Sequence, residues 1–136
     1  ITELENSDSV WPGSEYRTKE LKFEGYALDK FQRPTFKYSR GELSITDKVI
    51  PVASSSKEKP GTIRRILKFS GKKALSNLYL RLAQGKFERD QKNYVDEELS
   101  LSVEGGKVLA INDELRVPIQ FQNEKAELEI TYGWAE

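Results

Sequence analysis

Apolar residues recur at every second position along most of this chain, in short runs separated by polar turns. Leu21 and Phe23 share one parity and Tyr26 and Leu28 the other. The slip falls at Gly25, where one inserted residue makes a β-bulge. Phe36 and Tyr38 alternate with Thr35, Lys37 and Ser39, and Leu43 and Ile45 follow the Arg40-Gly41 turn. The same period carries Ile63, Leu67 and Phe69, then Leu78, Leu80 and Leu82, then Leu99, Leu101 and Val103. After Glu104-Gly105-Gly106, a strong turn signal, come Val108 to Ile111 and Leu115-Val117-Ile119-Phe121. The last run, Ala126-Leu128-Ile130-Tyr132-Trp134, follows the polar turn Gln122 to Lys125. Period two marks half-buried strands, and no helical stripe competes with it. The expected fold class is all-β, an antiparallel β-sandwich of about eight to ten short strands. Residues 11–136 form one such domain, preceded by residues 1–10 as linker or disordered tail.

Smaller signals refine this layout. Pro51 and Pro118 lie inside apolar runs, so they belong on edges or at bulges, where no ladder hydrogen bond is lost. Ser54 to Gly61 is the clearest loop. Trp134 continues the core parity of its strand, as a core residue or a cap over one open end of the sandwich. Trp11 precedes Pro12-Gly13 outside any clear strand, as a plug against the first sheet or an exposed platform.

Composition removes whole classes of chemistry. The 136 residues contain no Cys, His or Met. Thiol and imidazole nucleophiles, Cys/His zinc sites and covalent haem attachment are therefore excluded, and any general acid or base would be a carboxylate, Lys or Tyr. Lys plus Arg and Asp plus Glu number 22 each, with no basic block, which argues against nucleic acid as a partner. No run of some 18 apolar residues is present to insert into a membrane as a helix. The start, ITELENSDSV, lacks an initiator Met and has no basic or apolar leader region, so the chain reads as processed or cut from a longer one.

The segment Gly25 to Leu43 holds the best candidate site. Asp29 to Arg33 reverses the chain, Asp29 accepts backbone N–H bonds inside the turn, and Pro34 presets the next extended segment. Every conspicuous residue thus has a structural job. A second job is open to them: Tyr26, Phe36 and Tyr38 beside Arg33 and Arg40 are the mix that stacks on a sugar ring and hydrogen-bonds its hydroxyls. Trp11 and Tyr16 complete this candidate ligand-binding set, with Tyr79 and Tyr94 as further aromatics. Asp90, Asn93, Asp96, Glu97 and Glu98 place several oxygen ligands close together, but the spacing departs from the calcium-loop pattern, and a solvated turn is the expected reading. The basic doublets Arg64-Arg65 and Lys72-Lys73 read as half-exposed strand faces or turns. No metal site and no catalytic residue is assigned.

The words WPGSEYRT (Trp11 to Thr18) and GYALDKFQRPTFKY (Gly25 to Tyr38), with Arg64-Arg65 and a closing Tyr-Gly-Trp, resemble a β-rich domain of large exported bacterial proteins. Those proteins combine c-type cytochrome modules with a quinoprotein-like sugar dehydrogenase. The resemblance implies a non-catalytic accessory domain, periplasmic or extracellular, without a cofactor of its own, whose partners are neighbouring domains of a longer chain. It carries no catalytic residues over to this sequence. The alternatives are a carbohydrate-binding module with polysaccharide as partner and, behind it, a carboxylate-based glycoside hydrolase.

Overall fold

A computed structural model describes residues 1–13, 21–71 and 77–135. Among the described residues there is no helix, and twelve strands form two antiparallel sheets. In chain order these are β1 (Thr2–Glu3), β2 (Lys22–Leu28), β3 (Pro34–Arg40), β4 (Leu43–Val52), β5 (Thr62–Ser70) and β6 (Leu78–Gln84), followed by β7 (Glu88–Asp90), β8 (Asn93–Val95), β9 (Leu99–Glu104), β10 (Leu109–Ile111), β11 (Glu114–Pro118) and β12 (Lys125–Trp134). The larger sheet runs β2-β3-β4-β5-β12-β9-β8-β7 and the smaller β1-β6-β11-β10. The all-β, sandwich-like fold read from the alternation is thus the fold observed.

Local chemistry explains the turns. The pairing of β2 with β3 shifts register between Phe23 and Gly25, and Gly25 has φ 122°, so the bulge sits at the phase slip. Asn112 and Asp113, both at φ 55°, close the β10–β11 hairpin; Asn123 and Glu124, at φ 51° and 66°, close the turn into β12. Two consecutive positive φ values match the twist of paired strands, which favours Asn and Asp there. Both prolines lie where a strand has lost one neighbour. β3 pairs with β4 only as far as Lys48, leaving Pro51 paired to β5 alone, and β10 pairs with β11 only as far as Arg116, short of Pro118.

The core lies between the sheets. Leu43, Ile45, Leu67, Phe69, Leu128 and Ile130 from the large sheet meet Leu78 and Val117 from the small one, with Ile119 just beyond β11. Trp134 is not part of it: at the last position of β12 it is 63% exposed, because the small sheet does not reach that end of the strand. The first residues of the chain lie against the small sheet. Thr2 and Glu3 pair with Tyr79 and Leu78, and the Ser7 and Ser9 carbonyls accept hydrogen bonds from Arg116 Nη1 at 2.8 and 2.6 Å. Arg116 is completely buried, with Nε 3.1 Å from Glu114 Oε2.

Candidate interaction surface

Four strands cannot cover eight, and besides the end of β12 at Trp134 the inner face of the large sheet is uncovered at the β2–β3 corner. Cross-strand pairing fixes which side chains point there: Phe23 opposes Tyr38, Tyr26 opposes Phe36 and Leu28 opposes Pro34, while Tyr38 in turn opposes the core residue Ile45. Moving outward from the core, burial fades along these rows. Tyr38 and Phe36 are half-buried, whereas Phe23 is 55%, Tyr26 63% and Leu28 50% exposed. A cavity of about 200 Å³ opens where the small sheet stops, with Tyr38, Ile45, Asp47 and Arg65 on its wall.

The polar groups at this border are paired. Arg65 donates from Nη2 to Asp47 Oδ2 at 2.7 Å, from Nε to Asp47 Oδ1 at 3.2 Å and from Nη1 to the Tyr132 hydroxyl at 3.1 Å. Burial works against its charge, but the bonds to Asp47 and Tyr132 outweigh it and hold the guanidinium above its ordinary range. Arg64, one residue earlier, points to the other face and pairs with Glu129. The doublet is therefore two separate strand-face ion pairs. Lys72-Lys73 lies outside the described residues.

The turn of the hairpin is built as its sequence suggested. Asp29 Oδ1 accepts the N–H of Phe31 at 2.8 Å and of Arg33 at 2.9 Å, and Oδ2 accepts Arg33 Nε at 2.8 Å. The backbone bond from Arg33 is the main cause of a carboxyl pKa lowered to about 2, with the Arg33 side chain and the Phe31 N–H acting in the same direction. Phe31, 64% exposed, is flanked by Arg33 at 4.9 Å and Lys30 at 5.0 Å from its ring centroid. Asp96 does similar work elsewhere: it accepts the N–H of Leu99 at 2.6 Å and of Glu98 at 2.8 Å, which lowers its pKa and makes this acidic run a capped turn. Among the described residues no group of three or more acidic side chains is placed to hold a metal ion.

Of the candidate ligand-binding residues, Tyr26, Phe36, Tyr38 and Arg33 come together on this hairpin. Arg40 shares their strand but turns to the small sheet, 2.8 Å from Glu3 Oε1. Trp11 is remote from the corner: it packs half-buried on the outer side of the small sheet, with Arg81 at 5.1 Å and Arg116 at 5.5 Å from its ring. Tyr16 lies outside the described residues. The aromatic pairs Tyr26–Phe36 and Phe23–Tyr38 are tilted by 48° and 53°, so they form a ridge rather than one flat stacking platform. Phe23, Leu28 and Phe31 were missed as members of this surface. The signal available for the first two was their shared parity with Tyr26 once the bulge is counted.

The last property of the corner is its edge. β2 is the outermost strand of the sheet, and among the described residues no strand pairs with its free side. The hairpin's charges are mostly paired: Lys22 lies 3.8 Å from Glu24, Arg33 2.8 Å from Asp29 and Arg40 2.8 Å from Glu3, while Lys37 stands exposed on the outward face of β3. No family model matches the chain, and neither a curated protein nor a solved structure matches it.

Proposed function

We propose that this chain is a non-catalytic interaction domain that docks a neighbouring domain of a longer, exported protein, and that it does so by accepting an extended segment at the edge of β2. The observation that carries this reading is a seven-residue strand with Phe23, Tyr26 and Leu28 exposed on one face and, among the described residues, no strand along its outer side. An edge of this kind supplies main-chain hydrogen bonds for affinity and alternate side-chain positions for specificity. Partner residues facing inward would meet the Phe23–Tyr26–Leu28 ridge and are therefore apolar. Those facing outward would lie beside Lys22, with Lys37 on the next strand, and are therefore acidic or polar. The resemblance to accessory domains of cytochrome-containing sugar dehydrogenases supports the same reading and gives the neighbours their class, redox modules that bring the chemistry this chain's composition lacks.

The test uses a capped synthetic peptide alternating Val or Tyr with Glu, and a control of the same composition with the apolar and acidic residues in separate blocks. The alternating peptide is expected to bind, to slow amide exchange along β2, and to lose binding in a Tyr26→Ser, Leu28→Ser double variant whose thermal midpoint is unchanged. Equal binding of both peptides, or protection appearing elsewhere, would remove the edge-strand mode.

A further inference from the structure

The opposite face of the large sheet carries a second feature, independent of the β2 edge. Strand register sets two adjacent rows there: Gly133 lies beside Ser100, and Thr131 beside Ser102. Thr62 and Asn93 extend these rows onto β5 and β8, and together the strands floor a groove of about 330 Å³. The groove exists because small side chains occupy these positions while longer ones stand around them. The Arg64–Glu129 ion pair occupies the next positions of β5 and β12, and Lys59-Pro60 from the long loop closes another side.

The floor is polar without being charged. Thr62, Asn93, Ser100, Ser102 and Thr131 are all half-buried, and their side chains make no hydrogen bond within the described part of the protein. Partly desolvated hydroxyl and amide groups left without partners form an array waiting for donors and acceptors. Their spacing is fixed by the sheet, about 4.8 Å between strands and roughly 6.6 Å along one. That grid suits a ligand with a hydroxyl on nearly every carbon. The neighbouring surface at β7 and the turn after β8 carries Glu88, Asp90, Asp96, Glu97 and Glu98 against Lys86 and Arg89, an acidic balance that disfavours anionic chains. We propose that this groove binds a short stretch of a neutral polysaccharide through Thr62, Asn93, Ser100, Ser102 and Thr131. Trp134 borders the groove. Its parity belongs to the inner face, so it reports occupancy by fluorescence and is given no stacking role.

The experiment titrates the chain with neutral hexasaccharides of glucose, xylose, mannose and galactose, and with hexagalacturonate as the charged comparator, following backbone amide shifts and Trp emission. The expected result is that at least one neutral oligomer shifts the amides of Ser100, Ser102, Thr131 and Asn93, and that hexagalacturonate does not. A Thr131→Val, Ser102→Ala variant then binds about ten-fold more weakly, since two hydrogen bonds are lost, and Ser102→Leu, which fills the groove, does not bind. Both variants change solvent-facing positions, and their thermal midpoints are checked first. No shift with any neutral oligomer at 10 mM (roughly the weak end of useful affinity), shifts confined to the Tyr26 corner, or full binding by Ser102→Leu would each overturn the proposal.

Discussion

Two regions of the large sheet's inner face, the middle strands β4, β5 and β12 and the edge strand β2, are made of the same kind of residue and have opposite fates. Around Ile45, Leu67, Phe69, Leu128 and Ile130 the small sheet lies overhead and all are buried; around Phe23, Tyr26 and Leu28 it does not, and all are at least half exposed. Parity and side-chain chemistry do not separate the two groups. What separates them is the extent of the opposing sheet, so an inward-facing apolar residue is a stabilising group in one place and an available contact in the other. The two edges of the same sheet show the contrast again. β7 has only three residues, Glu88-Arg89-Asp90, and a short charged edge resists pairing with another chain, whereas β2 has seven and an aromatic ridge, interrupted only by the Gly25 bulge.

Mutation should separate the two regions sharply. Phe69→Ala, at a ring 2% exposed and edge-on to Phe121, is expected to cost about 3–5 kcal/mol in denaturant unfolding. Next comes the border, where Asp47→Ala leaves Arg65 with Tyr132 as its remaining side-chain partner. Allowing for the partial exposure of Arg65, a loss of about 1.5–3 kcal/mol follows, smaller at high salt if screening reaches the pair. Tyr26→Ala should cost about 1 kcal/mol or less, because its ring is mostly in water and loses only its tilted pairing with Phe36. A Tyr26 cost approaching that of Phe69 would erase the distinction between the regions and with it the case for a docking surface.

The smallest effect is local and depends on pH. The Asp29 carboxyl has its pKa lowered from 3.8 to about 2, so its contribution to the β2–β3 turn is fully present above about pH 4 and is lost as pH falls toward 2. Protection of the Phe31 and Arg33 amides, taken relative to their intrinsic exchange rates at each pH, should fall through that window in the parent and be low and flat with pH in Asp29→Ala. Core amides such as those of Ile130 should not follow the Asp29 transition.

Much of the local design was legible in the chain. Alternation gave the longer strands, Gly25 the bulge, Asp29 the turn cap and Glu104-Gly105 the turn after β9, because each depends on residues only a few positions apart. The candidate surface was legible by half: Tyr26, Phe36, Tyr38 and Arg33 belong together, since one hairpin contains them. Arg40 left the group for Glu3, a residue 37 positions earlier, and Trp11 left it for Arg81 and Arg116, pairings that no short window contains.

Sequence alone therefore determined that this is an all-β domain without thiol or imidazole chemistry, with its longer strands in these places, while the two- and three-residue strands β1, β7 and β8 were not read from it. A residue's type and its neighbours at two-residue spacing are enough for that. Tertiary structure decided what each face became. Arg116, on the outward parity of β11, is buried because the first residues of the chain lie over it; Trp134, on the inward parity of β12, is exposed because nothing in the small sheet reaches it; and Ser100, Ser102 and Thr131 form one groove because β9 and β12 pair. Parity sets the direction of a side chain, but its cover is another segment, brought there by long-range pairing that the local pattern does not encode.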